Sequence, residues 1–328
     1  MNISWNKSQW HNIMKRKGSL PHALLLRGRV GVGKLDFATQ LSHALLCQQS
    51  SIEQACGTCS SCLWLGEGTH PDFKLISPEN DSNRESYTKK KTGKKTQISV
   101  DQIRQLNDYL SLSTHQVKGR RIILITPAEA LNLASANALL KMLEEPPANT
   151  LFLLVASQPQ RLLPTIMSRC QAVDFPIPAK ADAMAWLAEQ GVHNPEAILA
   201  YAGGAPLTAL QMQSQLEAND NLLKQLSTGE NLNPFTSAPL FLSAGMDGAI
   251  QLIQKWIFDL MSCKLAESVH YYASQAPTLQ ALCKSVNLSA LVQFQRSLVE
   301  ARRAANHPLS NEMQLENLLL QYTKIFQQ

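Results

Sequence analysis

No apolar stretch in this sequence runs to about 18 residues before a charge or a proline interrupts it, so nothing reads as a membrane-spanning helix. The opening residues, Met1 to Lys7, lack the apolar core that a secretory signal needs, and the expected compartment is the cytoplasm. A large excess of one charge is also missing. The formal net charge is +5, and the five lysines between Lys89 and Lys95 match it by themselves. Those lysines lie within Glu79 to Gln97, among Asn, Ser, Thr and Gly, a composition that reads as a solvated loop rather than a fixed DNA-binding face. Aromatic residues make up only 6% of the chain and suggest no platform on which bases would stack. Seven cysteines in 328 residues do not make a disulfide scaffold, and in the cytoplasm they are expected to be reduced. No Ser-His-Asp or paired-carboxylate arrangement stands out.

What is present reads as a globular protein, with 45% hydrophobic and 17% charged residues and enough length for two or three domains. His22 to Arg27 is a short apolar run. Gly28 to Gly33 follows as a glycine loop, and then Leu35, Ala38, Leu41, Leu45 and Leu46 recur at helical spacing. Ser99 and Gln102 form a capping box ahead of a helix whose apolar face carries Ile103, Leu106 and Leu110. Ile122 to Ile125 and Leu151 to Val155 read as buried parallel strands flanking a helix over Leu131 to Leu143. Pro176 and Pro178 mark an exit from the sheet, and from Ala179 onward only helical periods appear. Asn231 to Pro239 reads as a connector. No internal repeat is detected.

Gly28-Arg-Val-Gly-Val-Gly33-Lys34 satisfies the phosphate-loop pattern between a strand and a helix. The chemistry that should follow is missing. Leu35 stands where a Ser or Thr hydroxyl would hold Mg²⁺, and Thr126 and Pro127 stand where the next strand would end in carboxylates; Glu129 comes three residues too late. The sequence thus predicts a retained loop backbone, with Gly28, Gly33 and Lys34 as a degenerate nucleotide site and no functional ATP chemistry.

Cys47, Cys56, Cys59 and Cys62 follow C-x8-C-x2-C-x2-C, close enough for four thiolates to converge on one ion. Zinc fits best, as a closed structural site of four sulfurs at about 2.3 Å. Disulfides and an iron-sulfur cluster are the alternatives. His70, eight residues after Cys62, is a possible replacement ligand, but four sulfurs already complete the shell and His70 is expected to fix a turn before Pro71. Cys170, Cys263 and Cys283 have no matching partners and read as buried or incidental. Asn137, Lys141 and Glu144 mark one polar helix face, either a subunit surface or simply solvated.

Three further segments carry a resemblance. Ser135 to Pro147 is a helix running into Glu144-Glu145-Pro146-Pro147, Phe152 to Gln160 is similar to a sensor strand, and Ser168-Arg169-Cys170 follows it. In this order, and with the cysteine module, residues 20 to 175 resemble the clamp-loader family of bacterial DNA polymerase III, an AAA+ group, and within it the delta-prime branch. The resemblance implies a RecA-like AAA+ domain over 1–175 with a zinc module at 47–62, a helical lid over 176–222 and an all-α collar over 223–328. It implies a hetero-pentameric ring with gamma or tau and delta, and action on a sliding clamp and primed DNA through that ring. Arg169 is implied as an arginine finger acting in trans on a neighbour's ATP. The motor subunits carry a lid arginine where Pro206 stands here in Gly203-Gly-Ala-Pro206, which sets this chain apart from them. A non-hydrolysing stator is the resulting expectation. An active clamp-loader ATPase and a zinc-dependent nucleic-acid module are the alternatives, separable by ATP turnover and by salt-dependent DNA binding of the isolated chain.

Overall fold

A computed structural model of the chain describes residues 4–49, 54–78, 96–111, 119–192, 194–304 and 311–326. The lysine run at 89–95 lies outside the described residues. The chain divides into two units, Met1–Ala179 and Lys180–Gln328.

In chain order, the first unit comprises α1 (Lys7–Met14), β1 (Ala23–Gly28), α2 (Lys34–Leu46), α3 (Ser60–Gly66), β2 (Phe73–Ile76), α4 (Val100–Ser111), β3 (Arg121–Ile125), α5 (Leu133–Glu144), β4 (Thr150–Ala156), α6 (Pro164–Met167) and β5 (Gln171–Phe175). The strands form one five-stranded sheet in the order β2-β3-β4-β1-β5. Every pairing in it is parallel. The central strands are continuously apolar because both faces are covered, and alternate residues go to opposite sides. Leu25, Ile123, Ile125, Phe152 and Leu154 pack with Ile103 and Leu106 of α4 and Leu139 and Leu143 of α5. Leu24, Leu26, Ile122, Leu124, Leu151 and Leu153 pack on the other side with Phe37, Ala38 and Leu41 of α2 and Ile13 of α1. Each fully buried leucine or isoleucine contributes roughly 2 kcal/mol by leaving water.

The local signals hold in detail. The Ser99 N–H donates to Gln102 Oε1 at 3.0 Å and the Gln102 N–H to Ser99 Oγ at 3.4 Å, the reciprocal capping box. Asn132 caps α5 by accepting the Ser135 N–H at 2.8 Å. The edge strand β2 has no counterpart in the sequence reading: four residues, half of them exposed, give too short an apolar pattern.

The second unit contains α7 (Lys180–Glu189), α8 (Pro195–Tyr201), α9 (Pro206–Ser227), α10 (Pro234–Leu242), α11 (Met246–Ala266), α12 (Ala276–Ser285), α13 (Leu288–Ala304) and α14 (Asn311–Lys324), with no strand among its described residues. An α/β domain followed by an all-α half agrees with the expected fold class. The connector expected over Asn231 to Pro239 is corrected, because most of it is α10. Asn233 accepts the N–H groups of Phe235 and Thr236, and Pro234 occupies the first turn, where its missing N–H costs nothing. The same residues that favour turns therefore start a helix here. The expected boundary at 222/223 falls within α9.

The core of this unit centres on Trp256 and Tyr322, both fully buried. The Trp256 indole N–H donates to Tyr322 Oη at 3.0 Å, and that hydroxyl donates to the Leu226 carbonyl at 2.6 Å, so neither polar group is left unpaired. No helix among the described residues is long and apolar enough to cross a membrane.

Candidate functional site

The phosphate loop leaves the C-terminal end of β1 and enters α2. Gly28 faces Phe175 on β5, where a Cβ would stand 2.2 Å from the Phe175 carbonyl oxygen, so close strand approach requires glycine. Gly33 caps α2 with φ at 88°, a conformation that a side chain would strain. The backbone of a phosphate cradle is thus preserved. Its lysine is turned inward: Lys34 is 4% exposed, and its Nζ donates to the carbonyl of Arg29, in the loop itself, at 2.5 Å. Burial pushes this ammonium down to about 8, against the opposing pull of Glu129. The next side chain, Leu35, is 46% exposed and offers no oxygen.

Glu129 lies in a short turn after β3, at Ala128–Ala130, and its carboxylate reaches the end of β4. It accepts the N–H of Ser157 at 3.0 Å and that of Gln158 at 3.2 Å. Spacing alone set Glu129 aside; the fold brings it into the electrostatic surroundings of Lys34 while engaging its carboxylate with backbone donors.

The four cysteines of the C-x8-C-x2-C-x2-C pattern come together between α2 and β2, their sulfurs all within 4.8 Å of one another. Cys47 and Cys59 sulfurs are 4.0 Å apart and those of Cys56 and Cys62 are 3.9 Å apart. Four sulfurs on a tetrahedral ion at about 2.3 Å would stand about 3.8 Å apart, so the cluster fits a closed four-thiolate site. Backbone donors support it. The Cys56 N–H points at Cys47 Sγ and the Cys59 N–H at Cys56 Sγ, each at 3.4 Å. Hydrogen bonds from Thr58 and Cys59 pull the Cys56 thiol down to about 6, whereas burial holds Cys62 up at about 12. Four crowded sulfurs accept full deprotonation only with a cation among them.

His70 takes no part in this cluster. Its Nδ1 accepts the Asp72 N–H at 3.0 Å, which leaves Nε2 to donate to Ser61 Oγ at 2.7 Å; Ser61 in turn donates to the Leu46 carbonyl at 2.7 Å. This buried chain ties α3 to the end of α2 and the start of β2, the turn-fixing role expected for His70.

Arg169 lies in the turn between α6 and β5. Its side chain is 34% exposed, and Nη2 lies 2.6 Å from Oε1 of Glu144, the last residue of α5. Nη1 donates to the Thr165 carbonyl at 3.1 Å. Asn137, Lys141 and Glu144 share one exposed face of α5, so the tertiary fold joins that polar face to Ser168-Arg169-Cys170. Cys170 itself is partly buried, with its thiol pushed up to about 12 by burial. Pro206 occupies the first turn of α9, where its fixed φ and missing N–H are tolerated.

Residues 6–179 match the family described as "DNA polymerase III, delta subunit", and residues 213–324 match "DNA polymerase III, delta subunit, C terminal". The chain is 38% identical over 250 residues to DNA polymerase III subunit delta' of Pseudomonas aeruginosa, covering 72% of each protein. It is 36% identical over 194 residues to the same subunit of Escherichia coli, covering 58% of this chain and 54% of that one. For the Yersinia pestis subunit delta', the identity is 33% over 296 residues, covering 86% and 82%.

Proposed function

Because the chain belongs to the delta-prime subunit family of DNA polymerase III, we propose that it is a clamp-loader component that does not hydrolyse ATP, a stator within a ring of motor subunits. The observation that carries this reading is the phosphate loop. Its backbone is intact, yet Lys34 is bonded to the loop's own Arg29 carbonyl, and Leu35 lacks the hydroxyl that would hold Mg²⁺. Thr126 and Pro127 replace the acidic strand end, and the Glu129 carboxylate is engaged with Ser157 and Gln158. In this reading the partners are gamma or tau and delta in a hetero-pentameric ring, which acts on a sliding clamp and primed DNA in the cytoplasm. The helical half then serves as lid (176–222) and collar (223–328), and Cys47, Cys56, Cys59 and Cys62 hold one structural Zn²⁺. The ion's contribution is to neutralise four thiolates and cross-link the insert.

Arg169 is the residue by which a chain with an inert site serves a live neighbour. Its accessible, permanently charged fork matches γ-phosphate oxygens in a way that an ammonium does not. Glu144 holds the guanidinium in one orientation until a more strongly anionic partner replaces it. Arginine fingers contribute roughly 10³ to 10⁵ in rate where they act fully. With only one of several sites served, the whole ring should lose less than that.

The test is a reconstituted ring with Arg169→Ala, measured for clamp- and DNA-stimulated ATP hydrolysis and for clamp loading. Assembly should be unchanged while both activities fall, and Arg169→Lys should restore them only in part. Unchanged hydrolysis and loading would reduce Arg169 to a surface ion pair worth about 1 kcal/mol or less. Magnesium-dependent ATP turnover by the isolated chain, lost in Lys34→Ala, would overturn the stator reading in favour of an ATPase.

A further inference from the structure

Two of the three cysteines that spacing leaves without partners stand together in the helical unit. Cys263 on α11 and Cys283 on α12 are both buried, and their sulfurs lie 3.1 Å apart. They are 20 positions apart in sequence and on separate helices, so no local motif announces them. Independent contacts hold the two helices in this register. Lys264, beside one cysteine, donates through Nζ to the carbonyl of Lys284, beside the other, at 3.3 Å. The buried Asp259 carboxylate of α11 accepts the N–H groups of His270, Tyr271 and Tyr272 in the segment that joins the helices. The Tyr272 hydroxyl returns to the Leu252 carbonyl on α11 at 3.2 Å.

We propose that Cys263 and Cys283 form an oxidisable dithiol that takes a small-molecule disulfide as its substrate and closes into an intrachain cystine joining α11 to α12. A disulfide has its sulfurs about 2.05 Å apart, so the pair must close by about 1 Å, a movement within reach of side-chain rotation on helices already in register. A metal ion is the poorer occupant. Two thiolates on a tetrahedral ion would stand about 3.8 Å apart. Among the described residues, the four-cysteine cluster is the only group of three or more metal-ligating side chains brought together, and these two cysteines are not in it.

The exchange proceeds in two displacements. Cys283, 8% exposed against 4% for Cys263, loses its proton and attacks one sulfur of the small disulfide, whose S–S bond breaks and releases one small thiolate. Cys263 then loses its proton and attacks the Cys283 sulfur of the mixed disulfide, expelling the second small thiolate. The two cysteine protons end on the two released thiolates. Two protein thiols are oxidised and one small disulfide is reduced to two thiols. Burial pushes the Cys263 thiol up to about 11, so Cys263 rests protonated and the closing step is slow.

Oxidised glutathione is the probe, added to the zinc-loaded full chain, followed by alkylation and peptide mass analysis. The expected product is a peptide pair linked through Cys263 and Cys283, with loss of both thiol hydrogens, reversed by dithiothreitol. The melting temperature of the helical unit should rise by several degrees, because the bond closes a loop in the unfolded chain. Cys263→Ser should instead stop at glutathione attached to Cys283. Persistence of free thiols at both positions in the wild type after equilibration with oxidised glutathione would overturn the proposal. A wild-type chain arrested at the mixed disulfide would overturn it equally.

Discussion

Asp259 shows how much one side chain can organise. It is fully buried in the middle of α11, and its two oxygens accept the backbone N–H groups of three successive residues, His270 to Tyr272, at 2.8 to 3.1 Å. A buried carboxylate is stable only when its charge is met by donors, and here the donors are three successive N–H groups of the segment that follows α11. Asp259→Ala removes the acceptor shared by three N–H groups and leaves that of buried Tyr272 stranded. We expect a loss of about 3 kcal/mol or more in urea denaturation, confined to the helical unit. Asp259→Asn should recover little, since its amide turns a donor toward donors. At Arg169 the balance is different: its pair with Glu144 is half-exposed on the carboxylate side, so Glu144→Gln should change stability by less than about 1 kcal/mol.

Among the elements, the cysteine insert carries the clearest consequence. Helix α3 has only seven residues, too short to hold itself in water, and it begins immediately after Cys59 and contains Cys62. Two things fix it: convergence of the four sulfurs, and the Asp72–His70–Ser61–Leu46 hydrogen-bond chain. Metal analysis of protein purified without added zinc should therefore find one zinc per chain. Chelation, or Cys59→Ser, should raise amide hydrogen exchange over residues 54–66 while β1, β3 and β4, buried on both faces by α2, α4 and α5, keep theirs. Stoichiometric iron, or a metal-free wild type with titratable thiols, would refute the zinc assignment.

For the whole molecule, each of the two units has its own apolar core. The sheet of the first unit is sealed by two clusters, and the second unit builds one around Trp256 and Tyr322. Separate cores predict separate unfolding. Fragments divided between Ala179 and Lys180 should each fold, the first with an α/β circular dichroism spectrum and the second with a helical one. In the intact chain, a zinc chelator should lower the transition of the first unit and leave that of the second in place. A single transition that moves as a whole under chelation would show the units to be one cooperative body.

Much of this was legible in the sequence because the signals are local. The short apolar runs at His22 to Arg27, Ile122 to Ile125 and Leu151 to Val155, the Ser99–Gln102 box, the glycine loop and the tight cysteine spacing each depend on neighbours within a few residues. Their physics, period, cap, turn and chelate ring, is the same in any fold. That Leu35 has no hydroxyl and that Thr126 and Pro127 have no carboxylate was readable for the same reason, since a missing group is missing in every conformation. Other features belong to tertiary structure alone. Asn233 and Pro234 serve a turn or a helix start equally well until packing chooses. Glu129 is three residues late along the chain, yet the turn after β3 carries its carboxylate to the end of β4. Arg169 meets Glu144 across 25 positions, and Cys263 meets Cys283 across 20, because helices and turns set side chains beside residues that sequence distance keeps apart. Composition and period decide the long, strongly patterned elements; only the closing of the chain decides short ones such as β2 and α10, and which side chains meet, since that depends on distances between elements that no local pattern encodes.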